Sequence, residues 1–349
     1  MKTALVIGSE GLVGAHLVER LLEDGWFVKG IARKITSTQS HPRYEHIPCD
    51  ILNTSQCSEI ADQLINTTHV FYAARAGHVE ADVEIKLNLE MLRNVLDQVL
   101  SMSNCLSHVS LVHGTKWYGS HLGSFRTPAV EDHDRHSGKN WYFDQLDLLC
   151  SRQSERDWTW STVRPHIVCG VSVGYPYNCL TTLAVYATLC RELDQPFIFP
   201  GSQGAFDAIT QATDASLLAQ AQIWAATDPG CKNENFNVIN GDYFRWNQLW
   251  PVIAGWFGIQ PVGPNGNSLT IMMIGAEKKW EHISSANGLL QPRLSALASW
   301  SFGDFLFNTH WDVMSSTLKS RQYGFSRTVG TEESFLSGFE RMRTMRLIP

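Results

Sequence analysis

Lys116, in Gly114-Thr115-Lys116-Trp117-Tyr118-Gly119, and Tyr142, in Asn140-Trp141-Tyr142-Phe143-Asp144, are the side chains of this sequence best suited to work on a carbonyl group. A tyrosine hydroxyl ordinarily titrates near about 10, so it is a proton-bearing donor at neutral pH. An ammonium within roughly 4–6 Å stabilises any phenolate character that develops. A donor aimed at a forming oxyanion in a dry site contributes roughly 3–4 kcal/mol to the rate-determining barrier. Taken one at a time, the two residues read more readily as a surface lysine and a core aromatic. They gain meaning only if the fold brings them together beside a reactive cofactor.

That cofactor has a sequence signature. Gly8-Ser9-Glu10-Gly11-Leu12-Val13-Gly14 follows the apolar run Ala4-Leu5-Val6-Ile7 and opens a helical stripe at Leu12, Leu17, Leu21 and Leu22. Glycines so placed allow a tight turn and let backbone approach a pyrophosphate, whose charge meets the helix N-terminus. Gly8, Ser9, Gly11, Leu12, Val13 and Gly14 are therefore the expected phosphate-side contacts. Glu10 is an awkward neighbour for phosphate unless it turns to solvent or meets a cation. The second strand runs into Ala32-Arg33-Lys34. An acid there would hold ribose hydroxyls, whereas Arg33 and Lys34 suit a 2′-phosphate. The expected cofactor is NADPH. Asp50 and Ile51, after the third strand, are candidates for the adenine side, with a helix-capping role for Asp50 as the plain alternative.

Positioning these groups needs a sheet. Phe27–Ala32, Tyr44–Ile47, His69–Ala73, His108–Val112 and Thr159–Pro165 read as further strands. Between them lie helices, one with Ile85, Leu89, Leu92, Val95, Leu96 and Val99 on one face, another from Trp141 to about Glu155 carrying Tyr142. Alternation of this kind predicts an α/β fold, a Rossmann-type doubly wound parallel sheet. Later segments are expected as helices over 180–192 and 215–226, an extended stretch over 195–201 and a strand over 236–239. The expected division is residues 1–175 as the dinucleotide-binding domain, with 205–245 partly returning to it. Residues 176–349 then form a smaller mixed lobe that closes over the cofactor.

The 349 residues are 44% apolar and 18% charged, as in a globular protein, and the net charge of -6 offers no surface for nucleic acid. No stretch approaches the roughly 18 apolar residues of a membrane span, and Lys2–Gly8 reads as a strand rather than a leader. Eight scattered cysteines without a C-x-x-C pair fit a reducing compartment, so the cytoplasm is expected. The 13 histidines show no ligand spacing, and no metal is expected. A homodimer is compatible with all of this.

Around Lys116 and Tyr142 the sequence resembles the progesterone 5β-reductase/iridoid synthase-like family of atypical short-chain dehydrogenases. In ordinary short-chain dehydrogenases the lysine lies one helical turn after the tyrosine; here that position is Leu146. The similarity runs nearly end to end, through Thr68–Tyr72, Arg93–Asp97, Arg164-Pro165, Ala184–Ala187, Asn233–Asp242 with Trp246, and Tyr323-Gly324-Phe325. His166, after Arg164-Pro165, is closer to microbial members. The resemblance implies NADPH-dependent hydride addition to the β-carbon of an enone or enal. Tyr142 would hold the carbonyl oxygen and Lys116 would tune or assist it. It also implies cofactor contacts at Ala73, Ala74, Arg75, Tyr142 and Val168. By rougher correspondence, Trp117, Tyr118, Trp141, Phe302, Phe305 and Leu306 line a pocket for a small apolar enone or carbonyl compound. Trp117, Trp141 and Phe143 depart from the family's usual residues and suggest a different substrate. A carbonyl reductase, an NADP-dependent cyclase or isomerase, and a non-catalytic NADP(H)-sensing module are the rival readings.

Overall fold

A computed structural model describes residues 2–34, 41–154 and 156–349. Seven strands form the central sheet: β1 (Thr3–Ile7), β2 (Phe27–Ala32), β3 (Tyr44–Pro48), β4 (His69–Tyr72), β5 (His108–Val112), β6 (Thr159–Arg164) and β7 (Glu234–Asn237). Their order is β7-β6-β5-β4-β1-β2-β3, and every pairing is parallel. The residues of β1 from Ala4 to Ile7, and Val70 to Tyr72 of β4, are essentially inaccessible to water. Strands covered on both faces need such unbroken apolar runs, which is why they read so clearly.

Helices α1 (Leu12–Glu23) and α6 (Ala215–Thr227) cover one face, with Ala219 and Ala226 packed among Leu17, Leu21 and Phe71. Helices α3 (Ala81–Met102) and α4 (Trp141–Gln153) cover the other, joined by Gln145 Nε2 donating to the Asn88 carbonyl at 3.1 Å. Short α2 (Thr54–Glu59) follows β3. The strand order reverses between β1 and β4, which opens a crevice at their C-terminal ends, where ligands of doubly wound sheets bind. This is a Rossmann-type fold with a smaller mixed lobe.

The second lobe has its own core. Every residue of α5 (Cys179–Glu192) from Cys179 to Cys190 is buried, and Asn178 caps its first turn through Leu180 N at 3.0 Å. Trp250, on α7 (Trp246–Phe257), stacks on Phe197 at 3.9 Å and donates its indole N–H to the Phe197 carbonyl at 2.9 Å. Phe199, Trp246 and Phe307, the last from α8 (Trp300–Phe307), complete the cluster. The C-terminal helix α9 (Thr331–Thr344) adds Phe335 and Phe339.

Three boundaries differ from expectation. β7 lies at 234–237 rather than 236–239, because beyond Asn237 the backbone turns to other partners. The Val238 carbonyl takes the Thr213 hydroxyl, and Asn240 N–H meets the Ala212 carbonyl at 2.9 Å. Of 195–201, only Phe197–Ile198 is strand, paired with Pro261–Val262. α4 ends at Gln153, and Glu155 lies outside the described residues.

The Trp250 ring fills the centre of the second lobe, so Trp250→Ala should cost about 3–5 kcal/mol of stability. Urea unfolding would read this as a lowered midpoint.

Candidate active site

The glycine loop is built by contacts that exclude side chains. Gly8 has φ +82°, and its N–H and that of Ser9 reach the Ile31 carbonyl at 2.9 and 3.2 Å, anchoring the loop over the end of β2. A Cβ on Gly14 would lie 2.1 Å from the Gly8 carbonyl oxygen, and one on Gly8 would lie 3.0 Å from Ala74 N. Ala73 and Ala74 thus close on the loop from β4. α1 begins after Gly11 with no side-chain cap and no acid in its first turn, so its N–H groups remain for an anion. These features fit the pyrophosphate of a dinucleotide.

Arg33 and Lys34 stand exposed just beyond β2. Glu10 turns toward β3, its carboxylate 4.0 Å from His46 Nδ1 and beside the Tyr44 phenol. Asp50 does not cap a helix; its Oδ1 takes Leu52 N–H at 3.1 Å in a tight turn, and Asn53 caps α2. The Ile51 carbonyl is held by Asn94 Nδ2 at 2.9 Å. Val168 follows Ile167, whose φ is +40°, and pairs with Thr213 in a short ladder at the end of β6.

Tyr142 sits in the first turn of α4, which starts where the Asn140 side chain accepts Tyr142 N–H at 3.0 Å. Asn140 also donates to the Lys116 carbonyl at 2.8 Å, so one side chain joins the two candidate catalytic residues. The Tyr142 hydroxyl lies over Gly114, 3.2 Å from where a Cβ would stand, so a larger residue at the end of β5 would press on the phenol. Trp141 and His113 flank its ring at centroid distances of 4.1 and 4.7 Å. Burial pushes the Tyr142 phenol up to about 12, with Arg75 opposing the shift and Glu84 and Tyr175 adding to it. Lys116 is partly buried on the turn after β5, its ammonium 5.5 Å from the Phe305 ring. Burial and the Arg75 charge lower its pKa, and Glu84 works the other way.

Among the expected wall residues, the structure divides two groups. Trp117 and Tyr118 are 4% and 6% exposed and turn into the core rather than the cleft. Trp117 lies against the Arg164 guanidinium at 3.9 Å, and the Tyr118 hydroxyl donates to Asn237 Oδ1 at 2.7 Å while accepting from Arg164 at 3.0 Å. Leu306 packs into the second lobe's core. Phe302 and half-exposed Phe305 remain on the cleft side, Phe302 meeting Tyr177 edge-on at 6.1 Å. Glu84, Asn88, Tyr175 and Tyr177 complete the surroundings, and sequence reasoning named none of them. A signal existed for Asn88: a polar residue on the apolar stripe of α3, between Ile85 and Leu92.

The fold and the site define an oxidoreductase of short-chain dehydrogenase/reductase type. Solved structures agree on the fold. The UDP-glucose 4-epimerase of Thermotoga maritima superposes with a TM-score of 0.71 at 16% identity, over 98% of this chain and 99% of that one. A short-chain dehydrogenase/reductase superfamily protein from Agrobacterium tumefaciens with bound NAD gives 0.69 at 14% identity, over 99% and 98%. The PRISE-like Rossmann-fold domain matches residues 4–349, and the chain belongs to that family. It is 35% identical to the 3-oxo-Delta(4,5)-steroid 5-beta-reductase of Arabidopsis thaliana, over 99% of this chain and 93% of that protein. It is 33% identical to the (S)-8-oxocitronellyl enol synthase of Catharanthus roseus, over 99% and 92%.

The position of Tyr118 yields a test. Tyr118→Phe leaves Asn237 Oδ1 and Arg164 each short of a partner and should cost about 1–3 kcal/mol of stability in urea unfolding. Cofactor affinity should not change. A residue of the cleft wall would show the reverse.

Proposed function

We propose that this protein is an NADPH-dependent reductase of α,β-unsaturated carbonyl compounds, with Tyr142 as the group that receives the substrate's carbonyl oxygen. The observation that carries this reading is a phenol pushed up to about 12, hence protonated at neutral pH, standing over Gly114 beside the nucleotide crevice. When bound, the reduced nicotinamide supplies a hydride. The chain's own residues do the rest. Tyr142 donates to the oxygen as the enolate forms. The Arg75 charge favours that enolate, and the aromatic groups of the second lobe keep water from it. Lys116 is assigned to this group by its place on the turn that Asn140 ties to Tyr142.

The relatives support the same chemistry. One is named a steroid 5-beta-reductase and the other an enol synthase. The second name favours a variant in which the enol produced by reduction goes on to react further, as in a cyclase. Arg33 and Lys34 support NADPH over NADH, because two exposed cations beyond β2 suit a 2′-phosphate. The substrate side falls to the mixed lobe of residues 176–349. All eight cysteines are free, which suits the cytoplasm. Among the described residues, no helix is long and apolar enough to cross a membrane.

Three experiments test the proposal. A panel of cyclic and acyclic enones, followed by NADPH absorbance and product mass, should give products heavier by two hydrogens, with the new C–H at the β-carbon. Tyr142→Phe should lower kcat by about 10²–10³-fold, as for a lost oxyanion donor. A loss below about tenfold removes Tyr142 from its assigned role. Separately, Arg33→Ser should raise KM for NADPH by about 10- to 100-fold, as for a lost charged hydrogen bond, and leave NADH use unchanged.

A further inference from the structure

The segment that leaves β6, Pro165-His166-Ile167-Val168, is tied to the turn that bears Lys116. Thr115 N–H donates to the Pro165 carbonyl at 3.3 Å. The buried Thr115 hydroxyl lies 2.6 Å from His166 Nδ1, a hydrogen bond that either group can donate. Burial holds the His166 imidazole at about 4, so it is neutral at working pH. The Pro165 carbonyl oxygen and the Tyr142 hydroxyl approach the same side of Gly114, 3.4 and 3.2 Å from the point where its Cβ would stand. His166 is thus the first residue beyond the floor beneath the phenol.

On its other side the segment is held by Thr213. The Thr213 hydroxyl accepts His166 N–H at 3.1 Å and donates to the Val238 carbonyl at 2.8 Å. Thr213 N–H reaches the Ile167 carbonyl at 3.3 Å. Between these anchors Ile167 has φ +40°, a left-handed conformation that crowds a β-branched side chain, and it packs on the second lobe's core. Such a backbone persists only where its surroundings over-determine it, and it concentrates at functional clefts. A histidine that merely filled the core would need neither this strained neighbour nor a partner on the Lys116 turn. Val168, two residues on, is one of the cofactor contacts that the family resemblance implies.

We propose that His166 is a positioning residue for the reactive end of the cofactor. Through Thr115 it fixes the segment running to Val168 against the turn beneath the Tyr142 hydroxyl, so that nicotinamide and phenol are held in one register. The inference rests on the dinucleotide reading of the cleft, and not on which carbonyl compound is reduced.

The test uses the full chain and the variants T115V, T115S, H166F and H166N, with T115V and H166F also combined. Each is titrated by calorimetry with NADPH and with 2′,5′-ADP, which lacks the nicotinamide, and in parallel with NADH and ADP. T115V and H166F should weaken the whole cofactor by about 3- to 10-fold, the factor for one neutral hydrogen bond, and leave the fragment unchanged. T115S and H166N keep a bonding partner and should stay within about twofold of the parent. The double variant should bind no more weakly than the weaker single one, because both substitutions remove the same bond. Retained fragment binding shows that a variant is folded. Equal weakening of cofactor and fragment, or additive losses in the double variant, overturns the proposal. So does unchanged cofactor binding across all variants, which leaves the dinucleotide reading intact. If the parent binds neither reduced cofactor, the dinucleotide reading falls and this inference falls with it.

Discussion

A guanidinium removed from water holds the candidate active-site region together. Arg164, at the end of β6, is 1% exposed. Burying a charge costs several kcal/mol unless it is compensated. The compensation comes from three groups on two chain segments: the Trp117 face at 3.9 Å, the Tyr118 hydroxyl at 3.0 Å and the Glu131 carbonyl at 3.1 Å. Tyr118 and Glu131 both continue to Asn237 on β7, the first through its hydroxyl and the second by accepting Asn237 N–H at 2.7 Å. The turn that bears Lys116 is thereby fixed from below by its own next two residues. Shifting that turn would strand a buried cation.

Above this base the polar groups of the cleft are arranged in pairs rather than singly. Asn140 joins Tyr142 to Lys116, Asn88 joins the Arg75 segment to α4, and Glu84 holds Arg75. Each amide is satisfied on both its donor and acceptor sides, which makes it a rigid spacer rather than a desolvation penalty. The second lobe brings aromatic groups, not further charge, to this surface. A phenol surrounded in this way keeps its proton at neutral pH and, on the proposed reading, would meet a substrate oxygen without reorganising solvent.

Much of the sheet was legible from sequence because parallel strands buried on both faces show as local apolar runs. The glycine loop was legible for a similar reason, since strand, turn and helix are contiguous there. β7 was misplaced by two residues because its end is set by Thr213 and Ala212, partners remote in sequence. Trp117 and Tyr118 were expected in the pocket by rough correspondence with the family the sequence resembles. A single turn of 3-10 helix points successive side chains in different directions, and only the distant Arg164 and Asn237 decide which are buried. Arg75 was expected as a cofactor contact, but its ion pair with Glu84 depends on how the loop after β4 folds back on α3. No local pattern announces that.

Half-exposed Phe305, on α8, lies over the Lys116 ammonium, while the Lys116 backbone is held by Asn140 and its charge is biased by Arg75 and Glu84, all from the first half of the chain. Shape at the cleft mouth and electrostatics at its floor are therefore written in separate stretches of sequence. On the proposed reading, drift in residues 300–307 would reshape which molecules are admitted while the floor stays as it is, a modularity that would let one scaffold diversify its diet without relearning its chemistry.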